Sequence, residues 1–260
     1  MADWNDTSRD AQRLGSVPRA GGDVAGRAGY DEGLRSHMLS IYNYMASAVL
    51  LTGIVALLFV NSPLFGMAFN TILTPAGTVA QPTGLGWLIM LSPLAVMLFW
   101  WFGAKRASTG ALQVAFWAFA TLFGLSLSTI FVTYTGASIA TAFFSTAAAF
   151  AGLSLWGYTT KKDISGWGSF LIMGVVGLIV AGVLNALVFQ SGAMSMVTSV
   201  LGVLIFAGLT AYDTQRLKNE YEYVRGTEMA GRAVIFGALS LYLDFINMFL
   251  YLLQLFGNRE

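Results

Sequence analysis

The sequence predicts an all-α polytopic membrane protein, a bundle of seven transmembrane helices behind a polar N-terminal tail. Three observations lead there. Of its 260 residues, 56% are hydrophobic and only 10% are charged, against about 25% charged in a water-soluble domain; the mean hydropathy is +0.67. Seven apolar runs are each long enough to approach or span a hydrocarbon layer. The basic residues gather in alternate connections between those runs.

Residues 1–36 are rich in Gly, Ala, Arg and Asp without sustained periodicity and read as a disordered tail. No apolar leader core precedes the first span, so a cleaved signal peptide is not expected. Residues 37–260 then form the membrane domain. His37, the single histidine, stands just ahead of the first apolar run and reads as a solvated interfacial side chain. The first span is Ile41–Val60. Asn61–Gly84 follows, with Pro63, Pro75 and Pro82 and no charge, and reads as an irregular loop dipping toward the interface. Gly86–Gly103 is the second span; Pro93 inside it removes one backbone hydrogen bond and favours a kink. Leu112–Thr133 and Ser138–Tyr158 are the third and fourth, Trp167–Phe189 and Met194–Tyr212 the fifth and sixth. Small residues such as Gly174, Gly177, Ala181 and Gly182 let neighbouring backbones approach where lipid offers little drive for association.

The seventh run, Ala233–Phe256, organises the others. Gly237, Ser240, Asp244, Asn247, Tyr251 and Gln254 recur in it at spacings of 3, 4, 3, 4 and 3, which is one helical face. A carboxylate at mid-membrane costs about 2.5–3.5 kcal/mol on insertion scales unless it meets a wet or partnered interior. The stripe is therefore expected to face inward. Lys105 and Arg106, Lys161 and Lys162, and Arg216, Lys218, Arg225 and Arg232 all fall on the side of the arginine-bearing tail. By the positive-inside rule the N-terminus is cytoplasmic and the C-terminus lies across the membrane, unless the last run is re-entrant and returns.

Chemistry narrows to two acids. Asp244 lies within the seventh span and Asp213 at the end of the sixth, in Ala211-Tyr212-Asp213-Thr214-Gln215. Stepping back from Asp213 by helical spacing gives Thr210, Phe206, Gly202 and Ser199, a lightly polar face suited to meeting the seventh helix. Two carboxylates on adjacent helices titrate jointly and can share one proton; deprotonated, they suit a hard cation such as calcium. The plainer alternatives are an interfacial Asp213 paired with Arg216 or Lys218, and an Asp244 held neutral for packing. Ser240, Asn247, Tyr251, Gln254 and Thr210 would line the path. Asp163 is placed to cap the start of the fifth span. There is no cysteine, so disulfides and thiol catalysis are excluded, and a net charge of +1 argues against a nucleic-acid partner. With no Walker loop, HExxH or G-x-S-x-G, neither an enzyme nor a bound cofactor is expected.

Several ordered segments then resemble one family. Ile139-Ala140-Thr141-Ala142-Phe143-Phe144, Tyr158-Thr159-Thr160-Lys161-Lys162-Asp163-Ile164-Ser165, Gly124-Leu125-Ser126-Leu127-Ser128 and Gly208 through Gln215 are similar to motifs of the Bax inhibitor motif family, the Bax-inhibitor-one-like proteins. The likeness covers about residues 40–256 and suits a bacterial member of the inner membrane. It implies a seven-helix bundle and a pH-sensitive calcium leak governed by an aspartate pair, with Asp213 and Asp244 at the two family positions. One departure stands out: family members can carry a basic residue in the second helix that pairs with an aspartate, whereas Gly86–Gly103 has none and the nearest cations are Lys105 and Arg106.

The function expected from the sequence is a calcium leak pathway of the cytoplasmic membrane, with calcium ions and protons as its traffic. Two other readings stay open. A regulatory protein could bind a membrane protease or another partner through the tail and transport nothing. A proton-coupled antiporter would need the same carboxylates.

Overall fold

The computed structural model describes residues 20–74, 77–104 and 106–258. Its elements are α1 (Ala20–Val60), α2 (Pro63–Ala68), β1 (Phe69–Thr74), β2 (Gly77–Pro82), α3 (Gly84–Phe102), α4 (Thr109–Leu127), the single turn α5 (Ile130–Thr133), α6 (Gly136–Thr159), α7 (Trp167–Leu184), α8 (Gly192–Val224) and α9 (Ala230–Phe256). Asn185–Phe189 continues α7 as a π-helical turn. Among the described residues six helices are long and apolar enough to cross a membrane, and α3 is a shorter apolar helix. The chain is an all-α polytopic membrane protein. Its outward faces are apolar, with Leu58, Phe170, Met173 and Leu187 all more than 60% exposed, a surface that only lipid can cover comfortably.

α9 is the axis. Of its most apolar stretch 67% is buried, against 11–28% in the other five spans. It packs on α8, α1, α6 and α4. Ala238, Leu241, Tyr242 and Met248 are wholly enclosed, with Phe116, Phe119 and Phe123 of α4 ringing Tyr242 edge-on. The Tyr242 hydroxyl meets Thr52 of α1 at 2.8 Å, so its one polar atom is satisfied.

Local chemistry explains how the other helices are tied in. Pro93 leaves the carbonyl of Ile89 without its usual amide donor. The Ser92 hydroxyl (2.8 Å) and the Ser126 hydroxyl from α4 (2.9 Å) both donate to it, so the break in α3 becomes a bond between helices. Arg232 at the start of α9 donates to the carbonyls of Ala104 (2.7 Å) and Ala107 (2.5 Å), holding the chain that leaves α3. Lys218 of α8 donates to the Tyr158 carbonyl (2.8 Å) in the last turn of α6, where free carbonyls accumulate.

Five expectations need correction. α1 begins at Ala20, inside the stretch read as a disordered tail, and from Leu34 onward Leu34, Met38, Ile41, Met45, Ala48, Thr52 and Ala56 make one continuous buried face; residues 1–19 lie outside the described residues. His37 rides on that face, buried, with its ring 5.2 Å from Tyr221, rather than solvated. The loop Asn61–Gly84 contains α2 and an antiparallel hairpin in which Phe69 pairs Pro82 and Ile72 pairs Val79; Pro75 is outside the described residues. α8 runs unbroken to Val224, so Asp213 sits within a helix and not at its end. Asp163 does not cap α7: it accepts from the Ser165 amide at 2.9 Å in a turn ahead of the helix, whose N-cap is Gly166. That amide holds the exposed Asp163 carboxyl below the usual carboxylate range.

Candidate functional site: an acid pair between two helices

The polar stripe of α9 faces α8, residue against residue. Gly237 leaves room for the Leu217 side chain. Ser240 donates its hydroxyl to Asp213 Oδ2. Tyr251 lies in the notch of Gly202 and stacks on Phe206, ring centroids 6.0 Å apart. Ser199 donates to Gln254 Oε1 at 2.8 Å. The face predicted for α8 thus meets the face predicted for α9 along its length, with one exception. Thr210 is wholly buried and its hydroxyl donates to the Phe206 carbonyl at 2.8 Å, so it does not line the path. In a dry helix interface a hydroxyl takes the carbonyl one turn back in place of water.

Both carboxyls are buried, each residue being 4% exposed. Asp213 Oδ1 is 3.3 Å from Nη2 of Arg216, which is one turn along α8 and also donates to Ser240 Oγ at 3.2 Å. Asp213 therefore has a basic counterpart, the Arg216 pairing weighed in the sequence as one of two readings. The sequence offered Arg216 only as a partner in a plainer surface reading; its place inside the cluster follows from the continuation of α8 past Tyr212. Ser240 donates to Asp213, and no hydrogen bond reaches Asp244 Oδ2. Asp244 stands one turn beyond Ser240, and its Oδ2 is buried without a hydrogen-bond partner. The charges acting on it are those of Asp213 and Arg216. Arg106 is exposed and takes no part; Lys105 lies outside the described residues.

Asp213, Arg216, Ser240, Asp244, Asn247 and Tyr251 line a cavity of about 500 Å³ walled by α3, α4, α7, α8 and α9. Asn247 donates to the Leu243 carbonyl at 2.8 Å, which leaves its amide oxygen as an acceptor. Leu178 and Tyr251 are common walls with a second, more polar cavity of about 900 Å³, lined by Asn185, Gln190, Ser191, Ser195 and Gln254. Tyr212 and Arg216 are common walls with a third, of about 610 Å³, at the charged end of the bundle. Among the described residues no group of three or more His, Cys, Asp or Glu side chains could hold a metal tightly.

Gln215 accounts for two of the sequence motifs at once. Its Oε1 accepts from the Ile164 amide (3.0 Å) and its Nε2 donates to the Lys162 carbonyl (2.8 Å), clasping the α6–α7 connection onto α8 two residues from Asp213. Gly157 of α6 lies against the Ala211 backbone, and Ser154 bonds Thr214 at 3.0 Å. The Tyr158–Ser165 segment and the last turns of α6 thus pack on the stretch that carries the acid.

Fold and site define a class: polytopic helical membrane proteins with an acid pair buried between two helices of the bundle. The chain belongs to the family described as "Inhibitor of apoptosis-promoting Bax1", whose sequence profile matches residues 34–260. A protein of Caulobacter vibrioides is 43% identical over 259 residues, covering 98% of this chain and 100% of the relative. An uncharacterized protein of Rickettsia prowazekii is 42% identical over 233 residues, 89% of this chain and 93% of its own length. The inner membrane protein YbhL of Escherichia coli is 39% identical over 246 residues, 94% and 98%.

Proposed function

We propose that the chain is a pH-sensitive calcium leak pathway of the cytoplasmic membrane, with its N-terminus in the cytoplasm and Asp213 and Asp244 as sensor and gate. One observation carries the reading: the acids line a central cavity that shares walls with a cavity toward each end of the bundle. The oxygens there are those a hard cation prefers: two carboxyls, the Ser240 hydroxyl and the Asn247 amide. Calcium takes six to eight oxygens, so passing ions would keep part of their water, and weak holding suits passage better than storage.

In the conformation described, Arg216 and Ser240 occupy Asp213. Arg216 is the basic partner that α3 lacks. Calcium and Arg216 would compete for the same carboxylate, and the Arg216 side chain, 46% exposed, has room to withdraw toward the charged end. The carboxyls attract a cation only when ionised, so leak rises as pH rises. Calcium flux into liposomes across pH, for the native chain and for Asp213→Asn and Asp244→Asn, tests this. A flattened pH profile in both variants is the expected result; three identical profiles refute the gate. Flux that saturates and runs uphill on a proton gradient would make the protein an antiporter instead.

A further inference from the structure

The central cavity has a side door. Leu94 of α3 and Ile172 and Ile179 of α7 line the cavity and are also 57–61% exposed on the outer surface. They are the lips of a gap between two helices that each pack on a different partner, α3 on α4 and α7 on α8. All three positions lie within membrane-spanning or apolar helix, so in a bilayer the gap opens onto acyl chains. Inside it the walls are Phe119, Phe123, Phe206 and Leu209, and beyond them stands Asp244.

We infer that this gap and cavity form a binding site for an amphipathic amine that enters from the lipid, its ammonium at Asp244 and its apolar body between α3 and α7. Three features fit that ligand together. The volume, about 500 Å³, lies in the range of small-molecule sites. Away from the acids the lining is apolar and aromatic, from Leu94, Phe119, Phe123, Ile172, Ile179 and Phe206, which suits an alkyl chain. Asp213 has both oxygens occupied by Ser240 and Arg216, whereas Asp244 Oδ2 is buried with no partner. A single ammonium supplies the donor that the buried Oδ2 lacks. An amine arriving uncharged takes the proton of Asp244; one arriving charged meets the carboxylate. Either way the product is the same ion pair, and no other reactant is needed.

Saturable binding of tritiated decylamine to the full chain in phosphatidylcholine nanodiscs, corrected for empty discs, tests the site. One amine per chain is expected, unaffected by excess decanol. Asp244→Asn should weaken binding about ten- to hundredfold, the worth of a hydrogen bond to a charged group. Leu94→Trp, which narrows the gap and leaves the acid alone, should weaken it too, and Asp244→Glu should retain it. Absence of saturable binding, equal binding by decanol, or unchanged affinity in Asp244→Asn would overturn the inference. The measurement is made at equilibrium without flux, so a chain that binds the amine and passes no calcium would refute the leak and leave this site standing.

Discussion

Gly202→Ala probes the α8–α9 contact without touching a charge. A Cβ built at Gly202 would lie 2.5 Å from Cδ2 of Tyr251 and 2.6 Å from its Cε2 and Cγ, where ordinary contact is 3.4–4 Å. Moving the ring out of the notch breaks its stacking on Phe206. Either Tyr251 leaves its notch or the two helices part. Overpacking of this kind costs about 1–3 kcal/mol, read as earlier unfolding when sodium dodecyl sulfate is titrated into dodecyl maltoside micelles. Tyr251→Ala removes the obstructing ring. In the double variant the clash is absent, so the coupling between the two changes should equal the clash itself, about 1–3 kcal/mol. Additivity within about 0.5 kcal/mol would refute the packing argument. Because Tyr251 is a wall between the central and the more polar cavity, Gly202→Ala should also raise calcium leak at a given pH.

Other expected outcomes follow from single contacts. Gln215→Ala strips partners from the Ile164 amide and the Lys162 carbonyl, at about 1–3 kcal/mol for each group that stays buried; the same detergent titration measures it. Ser126→Ala removes the inter-helix donor to the Ile89 carbonyl while Ser92 still serves it, so the loss should be about 1 kcal/mol. Gln190 has φ of +46°, a left-handed conformation that costs an ordinary residue about 1–2 kcal/mol; Gln190→Gly should raise the unfolding midpoint. Since the chain has no cysteine, Ser36→Cys and Gln190→Cys can be labelled singly with an impermeant maleimide. Labelling of Gln190→Cys but not Ser36→Cys in intact cells is the result the proposed orientation requires.

The central geometry was legible because it is periodic. Spacings of three and four placed Ser240, Asp244, Asn247, Tyr251 and Gln254 on one face of α9, and Ser199, Gly202, Phe206 and Asp213 on the face of α8 that meets it. What escaped was set by hydropathy falling while helix continued. Gln215-Arg216-Leu217-Lys218-Asn219-Glu220 is polar, yet most of these residues are good helix formers, so α8 carries Arg216 round to Asp213. The glycines of residues 20–35 argue against helix on entropy, yet α1 is helical through them and enters the core from Leu34 onward, packed on α4 and α9. The hairpin was hidden by its prolines, although β-branched Thr71, Ile72, Thr78 and Val79 fit strands and Gly77 supplies the positive φ of its turn. Thr210 had the right spacing and the wrong occupation, since no helical wheel reveals that a hydroxyl has folded back on its own backbone.

α8 has 33 residues and α1 has 41, about 50 and 60 Å of helix for a hydrocarbon layer of about 30 Å. Their overhanging ends are bolted together by rings: Tyr221 packs on both Tyr30 and His37, and Arg225 lies 4.9 Å over Tyr30. Asp213 sits on the same rigid rod as that clamp, two to three turns below it. Whatever grips the overhang from outside therefore holds the handle of a lever whose short arm carries the acid, and can move it without entering the membrane.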